Sequence, residues 1–196
     1  MLLEEIASIN PGLVLSRKRA DETDNNIFTY TMLSLTDIDP SGYIKAGVFE
    51  EYKSKENIKQ SFLTKKDDVI MRLTYPYTTL LIDSTFEDLI IPSSFAVIRI
   101  IDREFKPSYV AWFLNQSSIK QYIQSIQSGS VIGSTNKKVV GSIEIKKLQL
   151  EDQERLQEIN RLKHKEKQLL EKLWEEKEKL YQYTTQQIIK GESKHD

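Results

Sequence analysis

The chain has 196 residues, a formal net charge of −1, no cysteine and two histidines. That length holds one domain of about 150 residues plus one long element, and the missing cysteine excludes disulfides, thiolate metal sites and cysteine nucleophiles. With His164 in a charged run and His195 near the C-terminus no His-based metal cluster or triad is expected, and equal numbers of basic and acidic residues up to Leu150 mean that bulk charge does not announce nucleic acid.

The N-terminus has no basic stretch leading into an apolar core, and no apolar run approaches the ~18 residues of a membrane span. A cytoplasmic protein with no membrane segment and no cofactor is expected. Leu2, Leu3, Ile6 and Ala7 form a short apolar repeat that ends at Asn10-Pro11-Gly12, a turn signal. Arg17-Lys18-Arg19 follow, with Asp21, Glu22 and Asp24 behind them. Two readings stand for this cluster, a solvated loop or a phosphate contact. Phe28 to Leu35 reads as a strand and Asp37 to Gly42 as a turn, whereas the charged stretch Glu50 to Gln60 reads as a loop or a frayed helix.

Asp68 to Leu73 and Thr78 to Ile82 read as two strands around the turn Thr74-Tyr75-Pro76-Tyr77. Phe95 to Ile101 gives a further strand, separated from Ile90-Ile91 by Pro92-Ser93-Ser94. Pro107 then opens a helix through Asn115, and Ser117 or Ser118 caps a second one that ends before Gly129. Gly129 to Lys138 is a loop of glycine, hydroxyl and lysine, and Val139 to Ile145 is expected to return as a last strand. Strands first, then two helices, a loop and a strand suit an α+β fold with one twisted mixed or antiparallel sheet. The expected domains are 1–148, a long helix over 149–190, and a disordered tail over 191–196.

That helix, Gln149 to Ile189, contains no Pro or Gly. With Ile159 at heptad position a, the a and d sites run Ile159, Leu162, Glu166, Leu169, Leu173, Glu176, Leu180 and Tyr183, with mixed-sign charge between them. Such a stripe needs a partner helix, and Leu156, Ile159, Leu162, Leu169, Leu173, Leu180 and Tyr183 are the expected pairing residues. A helix folded back on its own domain is the competing reading.

Chemistry is sparse. The glycines at 129, 133 and 141 fit neither a dinucleotide nor a P-loop fingerprint, although Ser130, Ser134, Thr135, Lys137 and Lys138 supply donors for an anion. Tyr75-Pro76-Tyr77 lacks the polar residue and proline pair with which amino-methyltransferases grip a flipped base. Glu144-Ile145-Lys146 has the acid-x-lysine form of metal-dependent nucleases, but Asp102 is the one candidate for its second acid. No catalytic and no metal site is expected.

Several segments, taken in order, resemble the DNA specificity subunit of type I restriction-modification systems. They are Leu3-Glu4-Glu5-Ile6-Ala7-Ser8-Ile9-Asn10-Pro11-Gly12, Leu63 to Ile70, Ile91 to Ile98, Pro107 to Leu114, Ser128 to Gly133, Val139 to Ile145, and Leu150 to Ile159 with Glu151 and Gln153. Full-length members carry two target-recognition domains and two helices that pack antiparallel as a spacer; this chain has one of each and looks like a half-length form. The resemblance implies a non-catalytic subunit that reads one half of a bipartite site in double-stranded DNA. Separate methyltransferase subunits, and through them a restriction subunit, would make the complex an adenine methyltransferase and endonuclease. It implies a homodimer joined as a coiled coil through the helix. The residues expected to face DNA are Arg17, Lys18, Arg19, Arg72, Tyr75, Tyr77, Thr78, Ser130, Ser134, Thr135, Asn136, Lys137 and Lys138, all inferred from loops. The alternative is a coiled-coil adaptor that binds protein without reading DNA.

Overall fold

The computed structural model describes residues 1–21, 24, 26–45, 47–126 and 134–190. They divide into two compact units, Met1–Gln157 and Glu158–Asp196; the expected disordered tail at 191–196 lies outside the described residues.

The first unit is built on strands β1 (Ala7–Pro11), β2 (Phe28–Met32), β3 (Glu50–Ser54), β4 (Val69–Arg72), β5 (Thr79–Leu81) and β6 (Phe95–Ile100). Four of them form an antiparallel sheet in the order β1-β6-β4-β5, and β2 pairs with β3 in a second antiparallel sheet. Helices α1 (Leu3–Ile6), α2 (Pro107–Leu114), α3 (Ser117–Ile126) and α4 (Lys137–Gly141) complete it, together with the start of α5 (Leu150–Ile189). The fold is α+β with antiparallel sheets and one long C-terminal helix, as the order of elements implies.

The larger sheet is buried on both faces, which explains why its central strands read as unbroken apolar runs. Successive side chains alternate, so Val69, Met71, Ala96 and Ile98 enter a core with Ile6, Tyr109, Leu114, Ile123 and Val140, while Ile70, Phe95 and Val97 enter a second core with Leu33, Leu80 and Ile91. A third cluster, Leu13, Met32, Tyr52, Ile58, Leu63 and Ile90, lies under the β2-β3 sheet. Each large side chain so enclosed contributes about 1.5–3 kcal/mol.

Three local expectations change. Asn10-Pro11 is not a turn but the end of β1, where proline is tolerated because β1 is an edge strand. The chain then passes so close to Pro92 that a Cβ on Gly12 would stand 2.1 Å from the Pro92 carbonyl oxygen. Glu50 to Ser54 is strand β3, its Tyr52 and Ser54 inward and its glutamates outward. Val139 and Val140 belong to α4 instead of a last strand. Asn136 decides this by accepting the Lys138 and Val139 N–H groups on its side-chain oxygen, at 2.9 and 3.1 Å, which caps a helix against the β propensity of the valines.

Within the second unit α5 continues from Glu158 to Ile189 with no buried residue. Ile159, Leu162, Leu169, Leu173, Leu180 and Tyr183 are exposed along one stripe. Leu170, Trp174, Tyr181 and Ile188 form a second exposed stripe, one step round the helix at heptad positions e and b. Leu156 is the exception among the expected pairing residues: it is partly buried against the main core of the first unit, because the opening turns of α5 pack there. No helix among the described residues is long and apolar enough to cross a membrane.

Candidate nucleic-acid interface

The antiparallel registers bring four chain segments to one end of the larger sheet. Pro11 lies opposite Ala96, Arg72 opposite Phe95 and Thr79 opposite Met71, so the exits of β1 and β4 and the entries of β5 and β6 all meet there. One group of candidate residues emerges from this end, and a second lies on the segment that leaves β1 there.

The first group is the turn between β4 and β5. Tyr77 N–H closes it on the Thr74 carbonyl at 2.9 Å, Tyr77 adopts φ 55°, and the Tyr75–Pro76 bond is cis. Tyr75 is 64% exposed and Tyr77 2%, their rings meeting edge-on at 6.1 Å. Arg72 is held by its Nε, which donates to Thr74 Oγ1 at 2.8 Å. Thr74 forms an antiparallel bridge with Ser134, and Thr135 N–H donates to the Leu73 carbonyl at 2.6 Å. Ser134, Asn136, Lys137 and Lys138 are thereby brought beside Tyr75 although some 60 positions separate them in sequence.

Within this group burial sorts the candidates. Tyr77, Thr78 and Thr135 are buried and brace the turn from inside, which does not place them at a surface. Burial also pushes the Tyr77 hydroxyl pKa above its ordinary value. Lys137 and Lys138 are exposed in the first turn of α4. Ser130 lies outside the described residues.

The second group is a basic shelf. Arg17-Lys18-Arg19 sit on a 3-10 turn (Leu15–Arg17) just past Leu13. They lie along the outer edge of β3: Lys55 N–H donates to the Lys18 carbonyl at 3.0 Å, Ala20 N–H to the Lys53 carbonyl at 2.9 Å, and Arg19 bridges Ser54. Arg17, Arg19, Lys53, Lys55 and Lys59 are exposed. Lys18 pairs with Glu56; that hydrogen bond, against some desolvation and with Lys55 and Lys59 nearby, holds the Glu56 carboxyl below the usual carboxylate range. Lys53, Lys55 and Lys59 were not among the sequence candidates. The signal for Lys53 and Lys55 was the alternation of lysine with inward Tyr52 and Ser54 at the end of β3, beyond its outward glutamates.

The acid-x-lysine triplet gathers no such group. Glu144 bridges Leu2, the Lys146 carbonyl accepts the Tyr109 hydroxyl at 2.6 Å, and among the described residues no three His, Asp or Glu gather as metal ligands do.

No family model and no curated protein matches the sequence. Solved structures do match. A chain from the type I restriction-modification system whose complex assembly and conformational transition were determined aligns with TM-score 0.64 and 14% identity, covering 97% of this chain and 44% of its own length. The HsdS subunit from Thermoanaerobacter tengcongensis aligns with TM-score 0.64 and 20% identity, over 95% of this chain and 46% of its own length. This chain thus spans less than half of either. On fold, and over about half the length, it is similar to the specificity subunit of a type I restriction-modification system.

Proposed function

We propose that the chain is a half-length, non-catalytic specificity subunit that reads one half of a bipartite site in double-stranded DNA and positions methyltransferase and, through them, restriction subunits in the cytoplasm. One observation carries the reading: a domain with a specificity-subunit fold presents its Arg72–Tyr75 turn and Ser134 at one end of its sheet, and the segment that leaves β1 at that end leads into a basic shelf. Cations there would sit on phosphates and the turn would enter a groove. Residues 1–148 would be the reader and 149–190 the spacer.

Two copies would join through the Ile159 to Tyr183 stripe as an antiparallel coiled coil. Alone, that stripe leaves large apolar side chains wet. At about 1.5 Å per residue the 40-residue α5 is on the order of 60 Å long, so a two-fold pair favours a palindromic, gapped site. Antiparallel pairing sets e positions against each other and gathers Leu170, Trp174 and Tyr181 of both copies on one side, a face suited to the methyltransferase subunits.

Methylation mapping of the complex reconstituted with methyltransferase subunits tests this: a modified, two-part symmetric sequence is expected. Methylation without sequence preference would favour the second reading, a coiled-coil adaptor, which the near-neutral charge of the chain suits.

A further inference from the structure

Burial and committed hydrogen bonds divide the candidate DNA contacts into two kinds. Tyr77, Thr78 and Thr135 are enclosed. The Asn136 side-chain oxygen is occupied by two backbone N–H groups of α4, so it cannot make the bidentate pair by which asparagine reads adenine. Lys18 is engaged by Glu56, whereas Lys53 meets Glu51 only at 3.6 Å, between side chains 60% and 61% exposed, a contact that a phosphate displaces at little cost. What remains exposed beside the turn, apart from the long-stemmed cations Lys137 and Lys138, is the Tyr75 ring and Ser134, on neighbouring segments joined by the Thr74–Ser134 bridge. What remains on the shelf is Arg17, Arg19, Lys53, Lys55 and Lys59.

We infer that Tyr75 and Ser134 are the base-discriminating pair, whereas the five shelf cations hold phosphates whatever the sequence. This rests on the DNA-reading function proposed above. Discrimination needs groups fixed relative to the scaffold. The turn provides this: hydrogen bonds from Tyr77 N–H to the Thr74 carbonyl and from Arg72 N–H to the Thr78 carbonyl, each 2.9 Å, tie Tyr75 to the end of the sheet. A tyrosine there offers a hydroxyl that donates and accepts and a ring that stacks or wedges, and Ser134 adds a second short polar group. The shelf is different in kind, its charges on long stems that follow a phosphate ridge without fixed geometry.

The test uses the full chain with a randomised duplex library, sequencing of the bound fraction, and salt titrations on a fixed duplex. Wild type is expected to enrich a motif. The pair Tyr75→Ala and Ser134→Ala should lose preference at one or two positions by about tenfold each with an unchanged salt slope, and Tyr75→Phe, which keeps the ring and its packing, should show the part of that loss due to the hydroxyl. Lys53→Gln, Lys55→Gln and Lys59→Gln together should keep the motif, weaken binding to all sequences alike, and flatten the log–log salt slope by about 2–3. A wild-type motif retained by the Tyr75 and Ser134 variant, or altered by the lysine variant, overturns the division of labour and leaves DNA reading intact. A wild-type chain that enriches nothing overturns DNA reading itself.

Discussion

Asn115 pairs with both backbone groups of Thr79: its Oδ1 accepts the Thr79 N–H at 3.0 Å, and its Nδ2 donates to the Thr79 carbonyl at 2.6 Å. The C-cap residue of α2 thus takes the place of a neighbouring strand along the free edge of β5, two residues from the Tyr77 turn. Helix end, sheet edge and candidate site share one amide.

Replacing Asn115 with Ala removes three side-chain hydrogen bonds, two to Thr79 and one to the Ala111 carbonyl, and leaves buried Thr79 backbone groups unpaired, an expected loss of about 2–3 kcal/mol. Urea unfolding of the variant should show the midpoint falling with little change in slope. A loss under about 0.5 kcal/mol would mean that water replaces the amide.

Gln153 is fully buried, accepts the Lys106 N–H at 2.8 Å, and donates to the Glu104 and Leu148 carbonyls at 2.8 and 2.9 Å. It fastens the first turns of α5 to the segment that opens α2. Gln153→Leu keeps the volume but orphans three backbone groups, at an expected cost of about 3 kcal/mol. Amide exchange should rise first at Lys106, whose N–H loses its acceptor; unchanged protection there would count against the assignment.

Asp68, almost wholly buried, receives Arg99 on both oxygens, at 2.8 and 2.9 Å, and the same guanidinium reaches the Leu63 carbonyl at 3.1 Å. Asp68→Asn should cost about 2–3 kcal/mol, below the figure for a fully enclosed pair because Arg99 is partly exposed to solvent. Arg99→Lys should cost nearly as much, since an ammonium cannot reproduce the two-pronged contact. Thermal melts of the two single variants and the double variant check this, with a coupling near zero as the contrary result.

Leu169→Asp with Leu173→Asp places two charges in the exposed α5 stripe. Sedimentation at micromolar concentration should show wild type as dimer and the variant as monomer, with the melting of the first unit unaltered. A wild type that sediments as monomer speaks against pairing through this helix.

Local pattern was enough for several elements. Pro107 at the first helical position announced α2, the heptad of Ile159 to Tyr183 announced α5, and the β-branched runs at Val69 and Phe95 announced β4 and β6. Each signal lies within a few residues of its own element, where propensity and periodicity act. The sequence by itself therefore determined an α+β domain followed by a long amphipathic helix, and the ordered motifs determined which subunit it resembles.

Only tertiary structure decided the rest. Whether Val139 and Val140 lie in strand or helix turned on a side chain at Asn136 that caps one and not the other. Whether Tyr75 or Tyr77 faces outward turned on a backbone reversal with φ 55° at Tyr77, which sends neighbouring rings to opposite environments. The shelf needed backbone hydrogen bonds between Lys18 and Lys55, residues whose charges give no sign in sequence of lying together. Burial and long-range pairing are properties of how segments meet, and no local window holds both partners of such a contact.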